Sequence, residues 1–182
     1  MRAPNGIWRQ TLAPDECAEV MVNLLNLDRW PTWHSSAKRI LSEHNGELKE
    51  GQRFDLHRVD RQRLIEEMWT VKSIRRSESP SFLEIEFDWE GQQREGRPLG
   101  TALAHLRLSV TVWGEQEGGV EIAAWWTTRW WAKFMQGRVN RIARAMAKQW
   151  LNDACSAGIL PIPASLESVS YTHLTLPTTG VV

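Results

Sequence analysis

The spacing of apolar positions changes period twice along the chain. Residues 7–12 (IWRQTL) alternate apolar and polar over a short run, which predicts a strand. Ala13-Pro14-Asp15 ends that run, and a proline followed by acids is a helix start. Cys17, Val20, Met21, Leu24 and Leu25 then recur at helical spacing, predicting a helix over 14–26. Pro31 interrupts, and 32–36 reads as a second short helix or an irregular turn anchored by Trp30 and Trp33. From residue 37 the period becomes two, with strands expected at 37–43, 52–59, 64–76, 82–89, 101–113 and 120–128. Turns are expected at His44-Asn45-Gly46, Glu50-Gly51, 77–80, 91–100 and 114–119. The clearest alternation sets Leu83, Ile85, Phe87 and Trp89 against Glu84, Glu86 and Asp88. The helical period returns over 131–157, where Met135, Val139, Ile142, Met146 and Trp150 form one face and Arg138, Arg141, Arg144 and Lys148 the other.

This order predicts an α+β domain, β-α-α-β6-α, in which strands joined by short polar turns form an antiparallel meander. A lone amphipathic helix must bury its apolar stripe, and the sheet is the only large apolar partner. The expected architecture is a curved antiparallel sheet of about seven strands wrapped around a long C-terminal helix. An Ile142→Asp substitution is then expected to set an unpaired charge against the sheet. Residues 1–158 are read as one domain and 159–168 as a proline-containing linker. The stretch VSYTHLTLPT at 169–178 resembles the translation of a transposase-type sequencing-library adapter, so 169–182 is expected to be a non-native tail.

Composition narrows the function classes. Lys+Arg and Asp+Glu are equal at 22 each, so no global charge draws the chain to nucleic acid or to acidic membranes. Cys17 and Cys155 are far apart on apolar helix faces and read as buried free thiols. No apolar run has transmembrane length and no signal-like start is present, so a cytoplasmic protein without stable membrane insertion is expected. Eleven tryptophans against one tyrosine are spread over nearly every element, suiting either an aromatic core or a cavity for a flat or greasy ligand. The histidines have no cysteine cluster beside them, so no metal site is expected. Neither a phosphate-binding glycine loop nor a serine elbow is present, and no cofactor is expected.

Three local motifs carry a family resemblance: the strand–Ala-Pro–helix over 8–25, Asp28-Arg29-Trp30-Pro31-Thr32-Trp33, and Leu48-Lys49-Glu50-Gly51-Gln52-Arg53-Phe54. In this order, with the terminal helix, they resemble the START-like, or SRPBCC, superfamily over about 7–157. The resemblance implies a helix-grip fold with a cavity for a hydrophobic ligand between the sheet and the C-terminal helix. Its members include lipid carriers, plant hormone binders and polyketide aromatase/cyclases, whose catalytic residues differ, so no catalytic residue is carried over. The partner it implies is a hydrophobic small molecule, a lipid or polycyclic aromatic, with no nucleic acid.

With the cavity placed there, period two and the helix face select its lining: Trp33, Phe54, Trp69, Phe87, Trp89, Leu108, Val110, Trp126, Met135, Val139 and Ile142. On 64–76 the set Ile65, Glu67, Trp69, Val71 and Ser73 is the more apolar and is expected to face in, with Ile74 facing out. Glu67 would then be desolvated and its pKa raised, fitting a general acid/base or a ligand anchor; pairing with an arginine, or a place at the rim, is the alternative. Asp55 and His57 share the outer face of their strand and read as a surface pair, and His105 points outward. His34 reads as a group at a pocket mouth or a polar cap on a turn. Trp125, Trp126, Trp130 and Trp131 cluster with Arg129 and Lys133, suiting a pocket wall or, if exposed, a membrane- or partner-binding surface. The readings left open are a binding protein, a polyketide cyclase/dehydratase-type enzyme, and an interaction module.

Overall fold

The computed structural model describes residues 3–158 apart from 61 and 116. The expected linker and tail, 159–182, lie outside the described residues. Strand β1 is Gly6–Leu12 and helix α1 is Pro14–Leu25. The Glu16 carboxylate accepts from the Ala13 backbone N–H at 2.8 Å, satisfying one donor of the helix start. A 3-10 turn, Leu27–Arg29, leads into the single-turn helix α2, Trp30–Trp33. The second helix thus begins earlier than its expected 32–36. Pro31 lies in its first turn, where the missing N–H costs nothing, so it starts the helix instead of interrupting the chain.

The sheet is built from β2 (Arg39–Ser42), β3 (Arg53–Asp60), β4 (Arg63–Glu78), β5 (Ser81–Arg94), β6 (Arg97–Pro98), β7 (Leu103–Trp113) and β8 (Gly118–Thr128), together with β1. A 3-10 segment, Trp130–Met135, then enters helix α3, Gln136–Ala157. The strand order is β1-β8-β7-β5-β4-β3-β2, with β6 beside β5 and every pairing antiparallel. The meander is as expected, with one strand more: in place of a loop over 91–100, β5 continues to Arg94 and returns through β6. Gly91, at φ +146°, lets the strand pass through a backbone conformation closed to other residues. The register there runs from Met68 opposite Gly91 to Trp69 opposite Trp89, leaving Glu90 as the extra residue of a bulge.

A second bulge overturns part of the expected alternation. Val71 faces Phe87 and Ser73 faces Glu86, so Lys72 is extra on β4. Beyond it Ile74 pairs with Ile85 and packs on the core, while Ser73 turns outward, the reverse of what strict period two predicts.

The core lies between the inner face of the sheet and the helices. Trp30 is its hub, with ring centroids 5.2 Å from Phe54, 5.6 Å from Phe87 and 5.5 Å from Trp150, all edge-on. Helix α3 packs on the sheet through Val139, Ala143, Ala147, Trp150 and Ala154. Ile142, expected to face the sheet, is 49% exposed. The alanines let the helix lie close to the strands, and this rotates the larger Ile142 and Met146 to its flank. Cys17 and Cys155 are buried free thiols, and burial pushes Cys155 up to about 11. Gly118 leaves room for Cys17: a Cβ there would stand 2.6 Å from the Cys17 sulfur.

Candidate functional site

A cavity of about 460 Å3 lies beside the first half of α3, between it and residues of β3, β4 and β5. Met135, Val139, Ile142 and Met146 form one wall, and among them Ile142 and Met146 are the large side chains that the alanine seam turns aside. Across from them stand Arg58 on β3, Glu67 on β4, and Trp89 and Gln92 on β5. Residues 100–103, which lead into β7, and Arg138 on α3 complete it. A larger depression, about 780 Å3, lies between the turns at 43–44 and 49–52, among solvated side chains such as Glu43, His44, Lys49 and Arg53. The cavity beside α3 combines an apolar wall with a few inward polar groups, the usual make-up of a small-molecule site.

Glu67 faces inward because the bulge at Glu90 is on β5, so the alternation Ile65, Glu67, Trp69, Val71 on β4 is unbroken. It is 7% exposed, and its Oε1 accepts from Arg58 Nε at 2.6 Å, a short charge-assisted hydrogen bond. Arg58 shares the inward face of β3 with Phe54 and Leu56, so its guanidinium reaches Glu67 from the neighbouring strand. Of the outcomes set out for Glu67, the arginine pair is the one the geometry contains. Trp89 is nearly buried, and its Nε1–H is buried with no acceptor among the described residues. The charged lining is Arg58 and Arg138 against Glu67, an excess of one cation.

Of the eleven side chains expected to line a ligand site, Trp89, Met135, Val139 and Ile142 meet at this cavity, and Glu67 joins them. Trp33, Phe54, Trp69 and Phe87 instead pack around Trp30 and Trp150, and Leu108 and Val110 are fully buried on β7. Trp126 is buried, and its Nε1 donates to Asn140 Oδ1 at 2.9 Å. Arg58, Gln92, Arg138 and Met146 were not singled out. Arg58 was within reach, since period two puts it on the face of Phe54 and Leu56. Arg138 reads in sequence as part of a solvated stripe, and only the lie of the helix brings it to the cavity.

A second buried polar group lies in the aromatic core. His34, expected at a pocket mouth or as a turn cap, is 3% exposed and stacks on Trp30, with Trp150 edge-on. Its Nδ1 is 3.4 Å from Asp153 Oδ2, which accepts from the Ser35 backbone N–H at 3.1 Å and from its hydroxyl at 3.0 Å. Desolvation lowers His34 to about 4, so the imidazole is neutral at neutral pH. Desolvation also raises Asp153, against the lowering effect of the Ser35 hydrogen bonds. Asp55 and His57 do share the outer face, but His57 is buried between Arg39 and Glu66 in the adjoining registers, so the pair is not a surface one. Burial raises Asp55, and His57 partly offsets this. His105 points outward towards Asp88. Among the described residues no three His, Cys, Asp or Glu side chains are placed to hold a metal ion. Nor is any described helix long and apolar enough to cross a membrane.

No protein-family model matches the chain, and no curated protein sequence is similar to it. Solved structures are similar in fold. Ara h 8.0201 superposes with a TM-score of 0.59 at 8% identity, covering 85% of this chain and 96% of its own. The di-domain ARO/CYC StfQ from the steffimycin biosynthetic pathway gives 0.54 at 13% identity, over 83% of this chain and 50% of its own. The major latex-like protein 151 of Panax ginseng gives 0.51 at 8% identity, over 80% and 94%. The likeness agrees with the antiparallel sheet wrapped on α3, and this chain has the helix-grip fold.

Proposed function

We propose that the chain binds a hydrophobic small molecule with an acceptor or anionic head, a fatty acid or a phenolic polycycle, in the cavity beside α3. One observation carries this reading: the cavity sets the apolar side chains of Met135, Val139, Ile142 and Met146 opposite Arg58 and Gln92, with Arg138 beside them. The excess of arginine over glutamate in the lining favours a carboxylate or phenolate over an amine.

A polyketide cyclase-type enzyme on the same fold is the second reading, since an inward carboxylate faces the cavity and one similar structure is an ARO/CYC. Against it, Glu67 is the only carboxylate in the lining among the described residues and is held by Arg58, while arginine stays protonated near neutral pH. Proton shuttling would fall on one carboxylate already engaged.

Native mass spectrometry of the protein purified without detergent tests the binding reading, followed by titration with long-chain carboxylic acids and polycyclic phenols. A co-purified mass, or saturable binding of the carboxylic acids weakened about tenfold by Arg138→Met, supports it. An empty cavity with no binding across both classes overturns it. For the enzymatic reading, Glu67→Gln is expected to lower turnover of a polyketide-like substrate by about a hundredfold or more. A binding protein instead keeps its affinity within a few-fold in the same variant.

A further inference from the structure

The 3-10 segment Trp130–Met135 holds its aromatic side chains away from the core. Trp130 is 80% exposed, Phe134 85% and Trp131 46%, while Ala132 alone in the segment is buried. The segment is fixed in place: the Arg129 backbone N–H donates to Ala102 O at 2.9 Å, Arg129 Nε to Thr101 O at 3.0 Å, and Ala132 N–H to Arg129 O at 2.9 Å. Thr101 and Ala102 also line the cavity, as does Met135 at the end of the segment. The exposed aromatics therefore stand on the rim of the proposed ligand site.

The surrounding charge is one-sided although the chain as a whole is neutral. Residues 122–152 contain no aspartate or glutamate, and they carry Arg129, Lys133, Arg138, Arg141, Arg144 and Lys148, all exposed. None of these six forms an ion pair among the described residues. Exposed tryptophans flanked by cations match the interface of an anionic bilayer, where the rings sit at headgroup level and the cations meet phosphate and carboxylate. Three aromatics on one short segment, at the rim of an apolar cavity, suit a wedge into lipid better than a row of stacked bases.

We infer that Trp130, Trp131 and Phe134, with the basic residues of 129–148, form a docking surface for anionic phospholipid membranes. Docking there turns the cavity rim to the bilayer, the side from which a poorly soluble ligand enters; that purpose rests on the binding reading, whereas docking itself does not.

The test is co-sedimentation of the full chain, without added ligand, with phosphatidylcholine vesicles that contain or lack phosphatidylserine. Expected are partition to the anionic vesicles only, weakening with added salt, and a fall of about fivefold for each basic residue removed in the series Arg141→Ser, Arg144→Ser, Lys148→Ser. The double variant W130A/F134A is expected to lose at least tenfold in partition with an unchanged melting temperature, since both side chains are exposed. Equal partition to both vesicle types, or none, overturns the inference, as does a W130A/F134A protein that partitions like the parent. So does a concentration-dependent dimer that W130A/F134A dissociates, or single-stranded DNA binding that this variant abolishes while vesicle binding persists. Ligand titration of W130A/F134A tests the cavity by itself, so failure of docking and failure of binding give separate results.

Discussion

At the residue scale, two buried ionisable sites are expected to dominate the response to pH and to mutation. His34 takes up its proton near 6.5 when unfolded but only near 4 when folded, so its contribution is full above pH 6.5 and is lost as the pH falls. Between pH 6.5 and 5 this amounts to about 2 kcal/mol. Asp153, raised by burial, acts in the opposite sense at lower pH and flattens the curve there. Urea unfolding across this range should show the slope in the parent and its loss in His34→Phe, which keeps the ring against Trp30; an equal slope in both would contradict the assignment. The other site is Arg58–Glu67. Arg58→Met strands a buried carboxylate and should cost about 2 kcal/mol, less than for a fully buried pair because Arg58 is partly exposed. The double variant R58M/E67L is expected to return to within about 1 kcal/mol of the parent, because two apolar side chains need no partners. Unfolding midpoints of the two variants decide this.

At the element scale, the orientation of α3 determines both stability and the cavity. Ala147 is fully buried in the seam, so Ala147→Asp should cost several kcal/mol, on the order of half of a typical domain's stability. Ile142→Asp, at a half-exposed flank, should cost about 1 kcal/mol or less. Thermal melts of the two variants test the rotation of the helix directly, and equal losses would contradict it. The apolar repeat of 131–157 revealed a buried face but weighted it towards the large side chains, whereas close helix–sheet packing selected the alanines. The strands show the same limit. Period two placed Glu67 and Trp89 correctly on the inner face, then failed past Lys72, because a bulge depends on the register with β5 and not on the residues of β4 alone.

At the scale of the whole molecule, ligand binding and folding are coupled through α3, which forms part of both the core and the cavity wall. A ligand at about a hundred times its dissociation constant should add about 2.7 kcal/mol to stability. For a chain of this size that raises the melting temperature by about 5–10 °C. A thermal-shift series with fatty acids and phenolic polycycles measures it, and Arg138→Met should reduce the shift without altering the unliganded melting temperature by more than a few degrees, since Arg138 is exposed.

The order of elements, the antiparallel meander, the burial of both thiols and the inward turn of Glu67 were legible in the sequence. Each follows from local periodicity, which side-chain burial on one face of a strand or helix imposes residue by residue. The tertiary structure alone decided which inward residues meet empty space and which meet each other. Trp33, Phe54, Trp69 and Phe87 carry the same inward signal as Trp89, yet they close on Trp30 and Trp150 while Trp89 is left at a gap. That difference arises from which side chains of α3 meet each strand: the alanine seam and Trp150 close on the core, whereas Ile142 and Met146, on the flank, border the cavity. The basic stripe of 129–148 is likewise readable as a string, but its position beside the cavity rim is a property of the folded helix.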